Sequence, residues 1–141
     1  MRGDGSVVLR VRGESLDPQA VSFQLGLESH RSASRNDPLQ LSGDRSARLG
    51  ESIQLNLLRP IGSWQRFPPP ELARSGVGRQ LEYWCDVLKA RRKAVKALTE
   101  EGLEVILSCV IQVEGATAFQ IAPALQRRIA RLGVGLATTR L

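Results

Sequence analysis

The sequence predicts an α+β fold, a two-layer sandwich in which a mainly antiparallel sheet carries helices packed on one face. Three observations predict it. Apolar and polar residues alternate with period two at 6–12 and 53–57, the pattern of half-buried strands. Apolar stripes of period 3.6 run through 80–101 and 123–132, the pattern of amphipathic helices. The 141 residues, 42% apolar and 24% charged, suit a single domain spanning 1–141 that buries roughly two thirds of its unfolded surface. The order along the chain reads β-α-ββ-α-ββ-α-β, with no internal repeat.

Residues 6–12 put Val7, Leu9 and Val11 on one face and Arg10 and Arg12 on the other. Asp17 then offers a carboxylate cap to a helix whose first position is Pro18. Leu16 staples onto Val21, and Gly26 supplies the left-handed stop. Residues 28–50, rich in Ser, Arg, Asp and Gly, predict a long mobile surface loop. Ile53, Leu55 and Leu57 alternate with Gln54 and Asn56, and the turn at Arg59-Pro60-Ile61-Gly62 leads back through 63–67. This predicts a hairpin anchored by Trp64. Pro68, Pro69 and Pro70 close it, because a residue without an N–H cannot extend a ladder, and a Gly-rich connector follows to about Gly78.

From 80 to 101, Leu81, Trp84, Leu88, Val95 and Leu98 form one stripe on what reads as the longest helix, ended by Gly102. Trp64 and Trp84 are both expected in the core, with Tyr83 and Cys85 flanking the second. Residues 104–113 are apolar on both faces, as in a central strand, and the Glu114-Gly115 turn returns 117–121 beside them. Pro123 opens a helix with Leu125, Ile129 and Leu132 inward, Gly133 stops it, and 134–140 form the last strand. With helices on one face only, Ile106 and Val110 would be exposed on the other, where a binding groove or a homodimer contact would cover them.

With these segments placed, the chain resembles the bacterial domain of unknown function 4279 family. The resemblance rests on Arg12-Gly13-Glu14-Ser15-Leu16-Asp17-Pro18, Leu25-Gly26-Leu27, the Ser63-Trp64 pair and Leu81-Glu82. It continues through Ser108-Cys109-Val110-Ile111 and from Ile121-Ala122-Pro123 to Arg131-Leu132-Gly133-Val134, so it spans most of the chain. Where the family has a Pro after the first helix, a Lys-Gly-Asp and a closing aromatic, this chain has His30, Ser42-Gly43-Asp44 and Arg140-Leu141. The resemblance implies the fold and a bacterial origin, and it brings no activity with it.

Most catalytic chemistries lack their parts. His30 is the one histidine, set between Ser29 and Arg31 with no nucleophile elbow, and reads as an exposed imidazole. Cys85 and Cys109 stand far apart in apolar segments and read as buried free thiols, unlike zinc ligands or a disulfide pair. No EF-hand spacing is present. Gly76-Val77-Gly78 and Gly133-Val134-Gly135 are too short for a phosphate loop and read as connectors. Glu14 and Asp17 could form a carboxylate pair, but Asp17 is explained as a cap. No catalytic, cofactor-binding or metal-ligating residue is therefore assigned, and no cofactor is expected. With no leader pattern and no apolar run approaching the roughly 18 residues of a membrane span, a cytoplasmic protein without membrane contact is expected.

The net charge of +6 favours anionic partners. Lys89, Arg92, Lys93 and Lys96 share one side of the long helix, and Arg127, Arg128 and Arg131 project from the last; these are the candidate anion-binding residues. Glu82, Asp86 and Glu100 lie at pairing distance along the same helix, which would make the stripe a solvated face. The leading expectation is a non-enzymatic bacterial protein-interaction domain, immunity-like or accessory, with a protein partner or a second copy of itself. One alternative is a small-molecule or enzyme site under the 28–50 loop at His30, Arg31 and Arg35. The other is weak electrostatic binding of nucleic acid, disfavoured because the few aromatic residues are needed in the core.

Overall fold

The computed structural model describes residues 5–34, 62–111 and 121–140. The strand β1 (Gly5–Gly13) lies at the middle of the sheet. It runs antiparallel to β4 (Glu104–Ile111), with Val7 opposite Cys109, Leu9 opposite Leu107 and Val11 opposite Val105. All six are buried on one face, the outcome that period-two alternation dictates. The two backbones come so close at one end that a Cβ on Gly5 would collide with the Val110 carbonyl oxygen. On its other side β1 pairs with β3 (Gly62–Arg66), also antiparallel, with Val11 opposite Trp64. β2 (Arg31–Ala33) continues the sheet beyond β3. At the far edge β5 (Gly135–Arg140) runs parallel to β4, reached through the helix α5 (Pro123–Arg131) that a parallel crossover needs. The order is β2-β3-β1-β4-β5, an α+β fold with a mixed, mainly antiparallel sheet.

Helices cover the face that holds Val7, Leu9, Leu107 and Trp64. α1 (Pro18–Leu25) starts as its sequence dictates: the Asp17 carboxylate accepts the Gln19 N–H at 3.1 Å, and Gly26, at φ 66°, ends it in the left-handed region. Its Val21 and Leu25 are buried, and its Ser22 hydroxyl accepts the Trp64 indole N–H at 2.9 Å. After the prolines a short helix, α2 (Pro70–Ala73), occupies part of the expected connector. The expected single helix over 80–101 is two: α3 (Val77–Lys89) and α4 (Arg92–Glu100). Leu81, Trp84, Leu88, Val95 and Leu98 are nevertheless all buried, as the stripe requires. At the break, Arg91 leaves helical geometry at φ −121° and its guanidinium donates to the carbonyls of Leu25, at 2.7 Å, and Val87, at 3.0 Å. No Gly or Pro marks this break; a tertiary hydrogen bond makes it.

Two further expectations change. Part of the expected loop is strand, because the His30 N–H donates to the Gln65 carbonyl and Arg31–Ala33 then pair with β3. That pairing is non-local and leaves no alternation in a three-residue segment. Ile106 and Val110 on the opposite sheet face are half-buried, and their neighbours Val8 and Ser108 are 7% and 4% exposed, so these residues are not the exposed apolar surface that was expected. Residues 35–50, the expected strand at 53–57, the Glu114-Gly115 turn and 117–120 lie outside the described residues, and Ile121 belongs to no helix or strand. Among the described residues, no helix is long and apolar enough to cross a membrane.

One interaction joins the two layers. The ladder between β1 and β3 ends where Leu9 meets Arg66, since Pro68 and Pro69 soon follow. Alternate residues of a central strand direct their N–H and C=O to opposite neighbours, so Val7 and Gly5 would lack partners on that side. α3 supplies them. Gln80, fully buried, accepts the Val7 N–H at 2.8 Å through Oε1, and its Nε2 donates to the carbonyls of Gly5 at 2.9 Å and Ser75 at 3.1 Å. One turn on, the Trp84 Nε1–H donates to the Val7 carbonyl at 2.9 Å. Gln80→Leu keeps the volume and strands three backbone groups, so the unfolding free energy should fall by about 2–4 kcal/mol. Trp84→Phe, which strands only the Val7 carbonyl, should cost less; chemical denaturation of both variants checks the order, and an unchanged midpoint for Gln80→Leu would contradict it.

Candidate functional site: a basic cleft between α3, α4 and α5

The inward faces of α3, α4 and α5 are fixed by Leu88, Val95, Leu125 and Ile129, all buried. What remains on their outer faces is mostly basic. The end of α3, the start of α4 and the side of α5 meet around a cleft of about 160 Å³, floored by Cys85 and Leu132 and walled by Lys89, Arg92, Arg128 and Arg131. It continues into a hollow of about 420 Å³ along α4, where Lys96, Thr99 and Glu100 join Arg92 and Arg131. The two basic clusters of the sequence thus form one site. Lys93 lines neither hollow but an adjoining groove that it shares with Gln24 of α1 and with Lys89 and Arg92, and Arg127 is exposed and does not line the cleft.

The carboxylates do not neutralise this cluster as their spacing predicts. Asp86 reaches across from α3 to α5 and pairs with Arg128 at 2.8 Å, which raises the Arg128 pKa through that hydrogen bond. Among the described residues no carboxylate pairs with Lys89, Arg92, Lys96 or Arg131. Glu100 stands only at the outer end of the hollow. The start of α4 strengthens the field: its first turn has no acidic residue and no side-chain cap, so the positive end of the helix dipole adds to Arg92. Like charges gathered at a surface repel weakly in water, and an anion seated among them relieves that repulsion while gaining charge-assisted hydrogen bonds.

The thiols bring no nucleophile to the cleft. Burial pushes the Cys85 thiol up, and the nearby Arg128 guanidinium only partly opposes it. Cys109, in the core of β4, is pushed up to about 11 by burial alone. A thiol with a raised pKa is protonated at neutral pH and inert.

No family model, curated protein or solved structure matches this chain. The functional reading therefore rests on its own residues.

Of the alternative loop site, His30 and Arg31 are among the described residues. His30 Nδ1 accepts the Phe67 N–H at 2.9 Å, and its ring stacks on Phe67 with centroids 5.6 Å apart. The Arg31 guanidinium lies 5.8 Å from the centre of the same ring. Both side chains thus fasten β2 to the end of β3. Arg35 lies outside the described residues. Asp17 caps α1, as its position predicts. No group of His, Cys, Asp or Glu that could hold a metal is present among the described residues. Sequence reasoning missed Cys85 and Leu132 as the cleft floor, because their apolar setting marks them only as core.

The thiols provide a check on this packing. The native state holds the Cys109 proton more tightly than the unfolded chain, in which the thiol titrates near its ordinary 9.0. That contribution is intact below pH 9 and is lost as pH rises towards 11. The stability advantage of the wild type over Cys109→Ala should therefore shrink across this window, measured by denaturant midpoints at a series of pH values. A constant difference would mean that the thiol is not buried as described.

Proposed function

We propose that this chain is a non-enzymatic interaction domain whose basic cleft docks an acidic segment of a partner protein. The observation that carries the reading is the convergence of Lys89, Arg92, Arg128 and Arg131 from three helices on one cleft in which, among the described residues, Arg128 alone is paired. Such a site recognises carboxylates by charge and hydrogen bonding, and it holds no nucleophile, base or metal set with which to transform them. A bacterial, cytoplasmic protein of immunity-like or accessory role belongs to the same proposal. So does membership of the domain of unknown function 4279 family, supported by the run from Arg12 to Pro18 and by the segment from Ile121 to Val134.

A protein partner is favoured over nucleic acid because, among the described residues, nothing aromatic lines the cleft. Tyr83 is half-buried edge-on against Trp84, and Phe67 is covered by His30 and Arg31. Among the described residues, the large apolar side chain standing farthest out of the surface is Phe23 of α1, at 88% exposure, and the residue after it, Gln24, shares a groove with Lys93. An aromatic beside basic groups is common in protein interfaces.

Titration with an Asp/Glu-rich peptide, followed by fluorescence anisotropy at two salt concentrations, tests the proposal. Arg92→Gln combined with Arg131→Gln should weaken binding by about tenfold or more, whereas Lys93→Gln, outside the cleft, should change it by less than about twofold. Equal losses in the two variants would mean that the charge acts diffusely and that no cleft is involved. Sub-micromolar binding of nucleic acid at physiological salt, abolished by the double variant, would replace the acidic protein segment with phosphates.

A further inference from the structure

The two edges of the sheet are built differently. β2 is three residues long and opens on the exposed Arg31. Shortness and edge charge are two of the devices by which proteins stop a strand edge from pairing further. β5 has six residues and ends in Arg140, and the five before it, Gly135, Leu136, Ala137, Thr138 and Thr139, are all exposed and carry no charge and no proline. In a chain that is 24% charged, an outer strand with five uncharged residues in a row leaves its edge unprotected. β5 pairs with β4 on one side and is last in the strand order, so among the described residues the amides and carbonyls of its other side have no strand partner. Leu136, 37% exposed, adds apolar surface at the same edge.

We propose that β5 is a self-association edge, at which two copies of this chain pair β5 to β5, antiparallel about a twofold axis near Ala137. The two sheets then continue into one another. A twofold axis makes the same edge meet itself, so the edge must be self-complementary, and this one is. A register centred on Ala137 sets Leu136 opposite Thr138 and Gly135 opposite Thr139 of the second copy, with no like charges facing and a β-branched residue in each pair or beside it. Among the described residues the opposite outer strand is the short β2, a poorer edge for the corresponding contact, which favours a dimer over a fibre. Nothing in this arrangement depends on the basic cleft.

Sedimentation of the wild type over a range of micromolar concentrations tests it, with Ala137→Lys combined with Thr139→Lys as the variant; both positions lie on one face of β5. The wild type should form a concentration-dependent dimer. The lysine variant should dissociate at least about tenfold more readily with an unchanged circular dichroism spectrum, because lysines then face each other across the axis. A wild type that stays monomeric throughout, or a folded lysine variant that dimerises as tightly as the wild type, would overturn the proposal. Amide exchange on the unaltered chain gives a second reading that needs no variant. Protection at 136–139 should rise with protein concentration, and exchange there that is independent of concentration would overturn the proposal equally.

Discussion

The structure depends on how β1 satisfies its backbone where β3 stops. A central strand with one neighbour missing over half its length would bury unpaired N–H and C=O groups, each costing about 1–3 kcal/mol. Gln80 and Trp84, one helical turn apart on α3, replace the missing strand with side-chain donors and acceptors. This sets the height and rotation of α3 over the sheet more tightly than apolar contact could, because hydrogen bonds tolerate little displacement while Leu and Val packing tolerates sliding. The proline run is therefore part of the layer contact: by ending β3 it opens the place that α3 fills.

The cleft inherits this placement. With α3 held on β1, Cys85 faces inward beside Trp84 and Asp86 faces outward towards α5, where it meets Arg128. Arg91 then turns the chain into α4 by binding the carbonyl ends of α1 and α3 together. The basic walls are thus carried on elements fixed by the core, which lowers the entropy cost of ordering them around a ligand. α5 serves twice, since it forms one wall and also delivers the chain into β5.

Much of this was legible in the residues. Strand β1 followed from alternation at Val7, Leu9 and Val11, α1 from Asp17, Pro18 and Gly26, and the buried stripe from the spacing of Leu81 to Leu98, all of them local patterns. The break at Arg91, the strand Arg31–Ala33 and the roles of Gln80 and His30 were not, because each is a hydrogen bond to a residue distant in sequence. Gln80 shows the difficulty: on a helical wheel a glutamine beside Leu81 reads as surface, and only the missing β3 residues turn it into core. How the basic residues group was not legible either, since the Arg128–Asp86 contact and the divergence of Lys93 from Lys96 arise from how three helices meet.

Arg91 also separates the arginines into two populations. Arg91 and Arg66 donate to main-chain carbonyls, at Leu25, Val87 and Glu28, whereas Arg92 and Arg131 are exposed and have no ion pair among the described residues. Short hydrogen bonds with a fixed fork geometry are weakened little by salt, while the field of exposed, unpaired cations decays within about 8 Å at physiological ionic strength. Ionic strength therefore acts on this molecule selectively: it dims the cleft and leaves the skeleton that holds the cleft in place.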